Sequence, residues 1–150
     1  MNILRDAISS ERFPPKGFTD NNLIKRTVIT LTADQLRAIA TTPVLAISLN
    51  SANGFIYLVA DPIYKLYEGT IPFSSSNLVY IKPYGTTYNL ATLGKALTFA
   101  GGDIMGVGVL AKDVALPEGA DVYITGVADW EGATADSYLK IELLYREIEL

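Results

Sequence analysis

From Thr27 onward the chain is a succession of short β-branched and aromatic runs cut by turn formers, and this spacing constrains the fold more than any other feature. Thr27 to Leu31, Val44 to Leu49, Phe55 to Ala60, Ile63 to Tyr67 and Asn77 to Lys82 read as strands. So do Ala96 to Ala100, Gly106 to Ala111, Ala120 to Ala128 and Tyr138 to Leu150. The breaks between them are rich in Gly, Pro, Asn and Asp, as at Asn50-Ser51-Ala52-Asn53-Gly54, Gly101-Gly102-Asp103 and Leu116-Pro117-Glu118-Gly119. Asp61-Pro62 bends one run, and Ile63 to Tyr67 is expected to continue in the same sheet beyond the kink. About eight strands at this spacing describe an all-β sandwich.

Between the first two strands, Thr32-Ala33-Asp34-Gln35 has the form of a capping box, with Thr32 as N-cap and the Gln35 side chain reaching back to it. It opens a short helix, residues 33 to 40, which ends ahead of Pro43 because a proline pushes the preceding residue out of helical geometry. In the last strand Leu139, Ile141, Leu143 and Tyr145 share one face, and Lys140, Glu142, Leu144 and Arg146 the other. A strand that stays apolar to its end is expected to be paired and covered rather than frayed.

Residues 1–26 differ from this body, residues 27–150. Phe13-Pro14-Pro15-Lys16-Gly17 and Asp20-Asn21-Asn22 are runs of breakers that build no core. The interspersed Ile3, Leu4, Ile8, Phe13, Phe18, Leu23 and Ile24 are nonetheless too many for an inert linker. They suggest an extended arm that lies on another surface, with a short helix at Ile3 to Ser10. The arm carries five bases against three acids, the body seven against thirteen, so a net +2 segment precedes a net −6 domain.

An acidic body without a basic stripe disfavours nucleic acid, which requires clustered Lys and Arg. No window is apolar for long enough to span a membrane, and the first thirteen residues, which hold Arg5, Asp6, Glu11 and Arg12, do not read as a secretory signal. The chain is expected to work where it is made or to leave by lysis. Its 150 residues suit one core, and charged residues make up only 19%, so part of the surface is expected to be covered by partners. The alternative is that Thr, Ser, Asn and Tyr populate the solvent faces of a thin β domain.

The sequence contains neither histidine nor cysteine. That removes the commonest general base, the usual nitrogen and sulfur metal ligands, the thiol nucleophile and any disulfide. No enzymatic activity, metal or cofactor is therefore expected. Asp129-Trp130-Glu131 places acids beside an aromatic, as glycosidases do, but reads better as a turn flanked by solvated acids. Gly101-Gly102 and Gly106-Val107-Gly108 precede no helix and read as turn and bulge positions rather than a phosphate cradle. Asp103, Asp113 and Asp121 lack the spacing of a calcium loop. Nine tyrosines suit half-buried edges and interfaces alike, and Tyr84, Tyr88 and Trp130 form a possible saccharide platform or interface.

Two segments resemble small tailed-phage virion proteins of the head-decoration, or cement, type. One is Val28-Ile29-Thr30-Leu31-Thr32-Ala33-Asp34-Gln35-Leu36 with Thr42-Pro43-Val44; the other is Leu139 to Ile148, with an aromatic followed by arginine at Tyr145-Arg146. The resemblance covers about a quarter of the chain and leaves residues 1–26 and 61–97 unmatched. It implies a jelly-roll-like sandwich on the outer capsid surface of the virion, made in the host cytoplasm and assembled as a homo-oligomer, commonly a trimer, on the major capsid protein. The arm, with Phe13, Phe18, Leu23 and Ile24 as anchors, is then the expected capsid-binding element. The rival expectation is a carbohydrate- or receptor-binding module of a head fibre or tail.

Overall fold

The computed structural model describes residues 23–94 and 103–149. The expected helix at Ile3 to Ser10, the strand at Ala96 to Ala100 and most of the arm, with Phe13 and Phe18, lie outside the described residues.

In chain order the elements are β1 (Lys25–Thr32), α1 (Ala33–Arg37), β2 (Val44–Ile47), β3 (Gly54–Leu58), β4 (Ile63–Tyr67), β5 (Phe73–Ser75) and β6 (Val79–Pro83). There follow β7 (Ala91–Leu93), β8 (Ile104–Val107), β9 (Val109–Leu110), β10 (Val122–Gly126), β11 (Glu131–Gly132) and β12 (Tyr138–Glu149). In the first sheet β12 has β1 along one side, β4 and then β3 along the other, and β8 beyond β4; the second sheet runs β2-β10-β6-β7-β9. All these pairings are antiparallel.

β3 and β4 are one strand with an offset. Leu58 pairs with Tyr145 and Ile63 with Glu142, so residues 59–62 on one side span only Leu143 and Leu144 on the other. Pro62, with no N–H for a ladder, accounts for the interruption, and Ile63 to Tyr67 continues in the same sheet as expected. Counted as one strand, it completes a sheet β1-β12-β3/β4-β8 that faces β2-β10-β6-β7, with β9 added at an edge. The chain alternates between the sheets in the order of an eight-stranded jelly roll. β5 and β11 form a separate two-stranded ribbon.

The register explains the core. Across the first sheet, Ile29-Ile141-Tyr64-Gly106 and Leu31-Leu139-Leu66-Ile104 form inward rows. Across the second, Ile124-Ile81-Ala91-Leu110 does the same. These rows close on one another in a single apolar cluster. Gly106 belongs there because its neighbour's ring covers it: a Cβ at this position would stand 2.4 Å from the Tyr64 ring.

Local chemistry fixes several boundaries. β1 starts two residues before Thr27, since Lys25 and Arg26 already pair with Tyr145 and Leu144. The capping box forms as the sequence indicates, but the helix stops at Arg37 rather than continuing to Ala40. The reason is competition for the next helical hydrogen bond: the Leu36 carbonyl accepts the Trp130 N–H at 3.1 Å, while the Ala40 N–H donates to the Asp129 carboxylate at 2.8 Å. The expected single strand from Gly106 to Ala111 is split at Gly108, whose N–H donates to the Pro62 carbonyl at 2.7 Å as the chain passes from the first sheet to the second. A Cβ there would meet Leu93 at 2.4 Å and the Thr92 carbonyl oxygen at 3.0 Å.

The inward phase of β12 ends on a carboxylate. Glu147, 1% exposed, accepts the Asn50 side-chain amide at 2.8 Å and the Asn50 and Ser51 backbone N–H groups, and Lys25 Nζ stands 3.6 Å away. One buried acid thus ties the β2–β3 turn to the first and last strands. Glu147→Ala, which leaves these donors unmatched in the interior, is expected to cost about 2–4 kcal/mol in urea unfolding, with a smaller loss for Glu147→Gln.

A second carboxylate laces the loop after β4 to the approach to β12. Asp136 accepts the Thr134 hydroxyl, and the Thr70 N–H and hydroxyl at 2.9 Å each. These bonds, that of Thr134 foremost, hold its pKa below the ordinary value near 3.8. The bonds favour the charged form, so their stabilisation is complete above the unfolded-state pKa and is lost as pH falls through the lower folded value. Acid titration should show Asp136 protonating below the ordinary Asp range, and the stability difference between wild type and Asp136→Asn should shrink below about pH 4.

Candidate functional site

Of the expected arm anchors, Leu23 and Ile24 are described, and both are exposed immediately ahead of β1. The three aromatics proposed as a platform are not brought together. Trp130 is 1% exposed and packs edge-on against Phe73, with ring centroids 4.9 Å apart and planes at 87°. It follows a backbone segment pinned by Asp129 and Leu36, which turns the indole into the core, so it presents no face to a sugar. Tyr88 is half-buried, and its carbonyl accepts the Thr86 hydroxyl at 3.1 Å.

Tyr84 alone meets the expectation of an exposed ring, at 71%. It occupies the first corner of the turn Pro83-Tyr84-Gly85-Thr86, closed by the Thr86 N–H on the Pro83 carbonyl at 3.3 Å. Gly85 supplies the φ of +76° that a type II turn needs at its second corner. The ring lies 5.5 Å from that of Tyr123, tilted by 46°. Together with Pro43, Lys82, Pro83, Gly85, Thr86 and Thr125, the two tyrosines line an open groove of about 340 Å³ on the outer face of the second sheet. The Thr86 hydroxyl is committed to the Pro83 and Tyr88 carbonyls, and that of Thr125 to the Ile39 carbonyl. Lys82 has no carboxylate partner among the described residues.

Sequence reasoning missed Tyr123, Lys82 and Pro43 as neighbours of Tyr84. Lys82 and Tyr123 fall on the solvent phase of their strands, a signal visible in the sequence. Their adjacency comes from the pairing of β6 with β10, forty residues later, which is not.

The first sheet offers a different outer face. Val28-Glu142-Ile63-Val107 forms one cross-strand row and Thr30-Lys140-Lys65-Met105 the next. Val28 and Ile63 are exposed, and Met105 and Val107 on β8 reach 74% and 63%. Arg26 pairs at 2.6 Å with Glu142, which stands in the row between Val28 and Ile63. Val109, 68% exposed, carries the apolar character onto the β9 edge. No charge interrupts the outward side of β8, unlike the edges that proteins protect from pairing.

Three further acids serve the backbone. Asp129 takes the Ala40 N–H, Asp121 the Leu49 N–H and Asp61 the Leu110 N–H. Glu131 is exposed on β11. Among the described residues no three carboxylates, histidines or cysteines gather in a way that could hold a metal. Comparison of the chain with protein-family models, curated proteins and solved structures finds no match.

The placement of Trp130 has a direct optical consequence, because it is the sole tryptophan. Native emission should be blue-shifted and poorly quenched by acrylamide, and saccharide additions should leave it unchanged. Trp130→Ala should cost about 3–5 kcal/mol in denaturant unfolding, through loss of the core filling between α1 and the β5–β11 ribbon.

Proposed function

We propose that this chain is a structural, non-catalytic virion protein that decorates and cements a phage capsid, binding the major capsid protein at the outer surface as a homo-oligomer, in the manner of a trimeric cement protein. The observation that carries the reading is the exposed apolar strip of Val28, Ile63, Val107 and Met105 across the first sheet. Exposed apolar side chains on three strands, β1, β4 and β8, interleaved with Glu142, Lys140 and Lys65 and flanked by Arg26, make a mixed surface suited to burial against a protein. The apolar residues of segment 1–26 add anchors in series with that surface, so that many weak contacts on a repeating lattice sum to firm attachment. The resemblance of residues 28–44 and 139–148 to decoration proteins points the same way.

Purified virions should contain the chain in a copy number of the hundreds relative to the major capsid protein; a dozen or fewer would move it to a vertex or the tail. Deleting residues 1–22 leaves every described hydrogen bond and the whole of β1 in place. It should give a folded oligomer that no longer holds to capsids in co-sedimentation. Met105→Glu with Val107→Glu should likewise abolish capsid retention with little change in unfolding midpoint, and retention by both variants would sink the reading.

A further inference from the structure

We propose that the groove beneath Tyr84 is a binding site for acidic saccharides, a role separate from capsid attachment and located on the other sheet. Three observations converge on this ligand class. The first is charge. The body from residue 27 onward carries a net charge of −6, yet no acid lines the groove and its one charged group is Lys82. Lys82 is a half-buried residue of β6 paired with Tyr123 of β10, and it has no carboxylate partner among the described residues. A cation so placed is complementary to a carboxylate or sulfate brought by a ligand.

The second is the arrangement of aromatic faces. Tyr84 and Tyr123 present rings tilted by 46° at 5.5 Å, and Tyr80 lies two residues before Lys82 on the same outward phase of β6. The C–H face of a pyranose packs on such rings, while phenol hydroxyls and the ammonium serve its oxygens. Pro43, Pro83 and the type II turn at Gly85 hold these walls in place before a ligand arrives, so little ordering is lost on binding.

The third observation separates a saccharide from an acidic peptide. β6 and β10 pair with each other, and their outer sides are taken by β7 and β2. At the groove β10 engages β6 through Lys82↔Tyr123 while β7 reaches only Ile81. An extended peptide would find at most the short edge of Lys82 and Pro83, the latter without an N–H, and not the ladder of main-chain bonds through which peptides are usually captured on sheets. A saccharide needs only side chains.

The test uses the full-length protein on an array of neutral, carboxylated and sulfated glycans, with polyglutamate as the peptide probe, followed by titration of the glycans retained. The expected result is selective retention of anionic glycans. Affinity should fall about tenfold in Lys82→Gln and in Tyr84→Ala, recover in Lys82→Arg, and stay unchanged in Lys140→Gln on the opposite face. Circular dichroism of each variant separates lost binding from lost fold. Retention of no anionic glycan, equal retention of polyglutamate, or glycan binding that survives both substitutions in folded protein would each overturn the proposal. Capsid attachment is unaffected by any of these outcomes.

Discussion

The fold depends on β12. Its twelve residues carry β1 on one side and β4 then β3 on the other, so it joins a segment starting at Lys25 to one ending at Glu149. Almost every other assignment follows from its alternation. Leu139, Ile141 and Leu143 direct one face to the second sheet; Lys140 and Glu142 direct the other outward, and the same phase passes to Tyr64, Leu66 and Gly106 through the register. A slip of one residue in β12 would place Lys140 and Glu142 in the core. Because its partners are separated by most of the chain, the sheet can close only after long loops have been ordered. This places the molecule among the slower-folding β topologies.

Polar groups in this structure act mainly as ties between loops and strands. Glu147 grips the Asn50–Ser51 turn, Asp136 the residues around Thr70, Asp129 the turn after α1 at Ala40, and Asp61 the end of β9 at Leu110. Each accepts backbone N–H groups that no ladder reaches, so irregular connections between short strands remain satisfied. This employment of carboxylates leaves the outward-facing side chains, apolar on one sheet and tyrosine-rich on the other, as the groups available to partners.

Much of the architecture was legible in the sequence. The period-two runs located β1, β2, β3, β4, β6, β10 and β12, and the capping box at Thr32 located the start of α1. Proline at position 62 announced the offset between β3 and β4. What was not legible has physical causes. β5, β7 and β11 have two or three residues each, too few to show alternation, and they exist because neighbouring strands pair with them. The early end of α1 depends on donors and acceptors contributed by Asp129 and Trp130 from the far end of the chain. Trp130 looked like a surface aromatic between two acids, whereas a tertiary backbone bond turned it inward. In the groove, Tyr84 was visible from its turn residues, but Tyr123 and Lys82 required the pairing of β6 with β10.

The β1–β12 ladder also has a mechanical meaning. Its eight pairs run from Lys25↔Tyr145 to Thr32↔Tyr138 without a bulge. A load applied at Leu23 along the axis of β1 stretches these bonds together, in shear, rather than opening them one after another. Tension carried by an N-terminal tether would therefore reach the body through its strongest seam, with Arg26–Glu142 and Lys25–Glu147 as side-chain clamps at the loaded end. A strand attached in this manner behaves as a lap joint and not as a zipper.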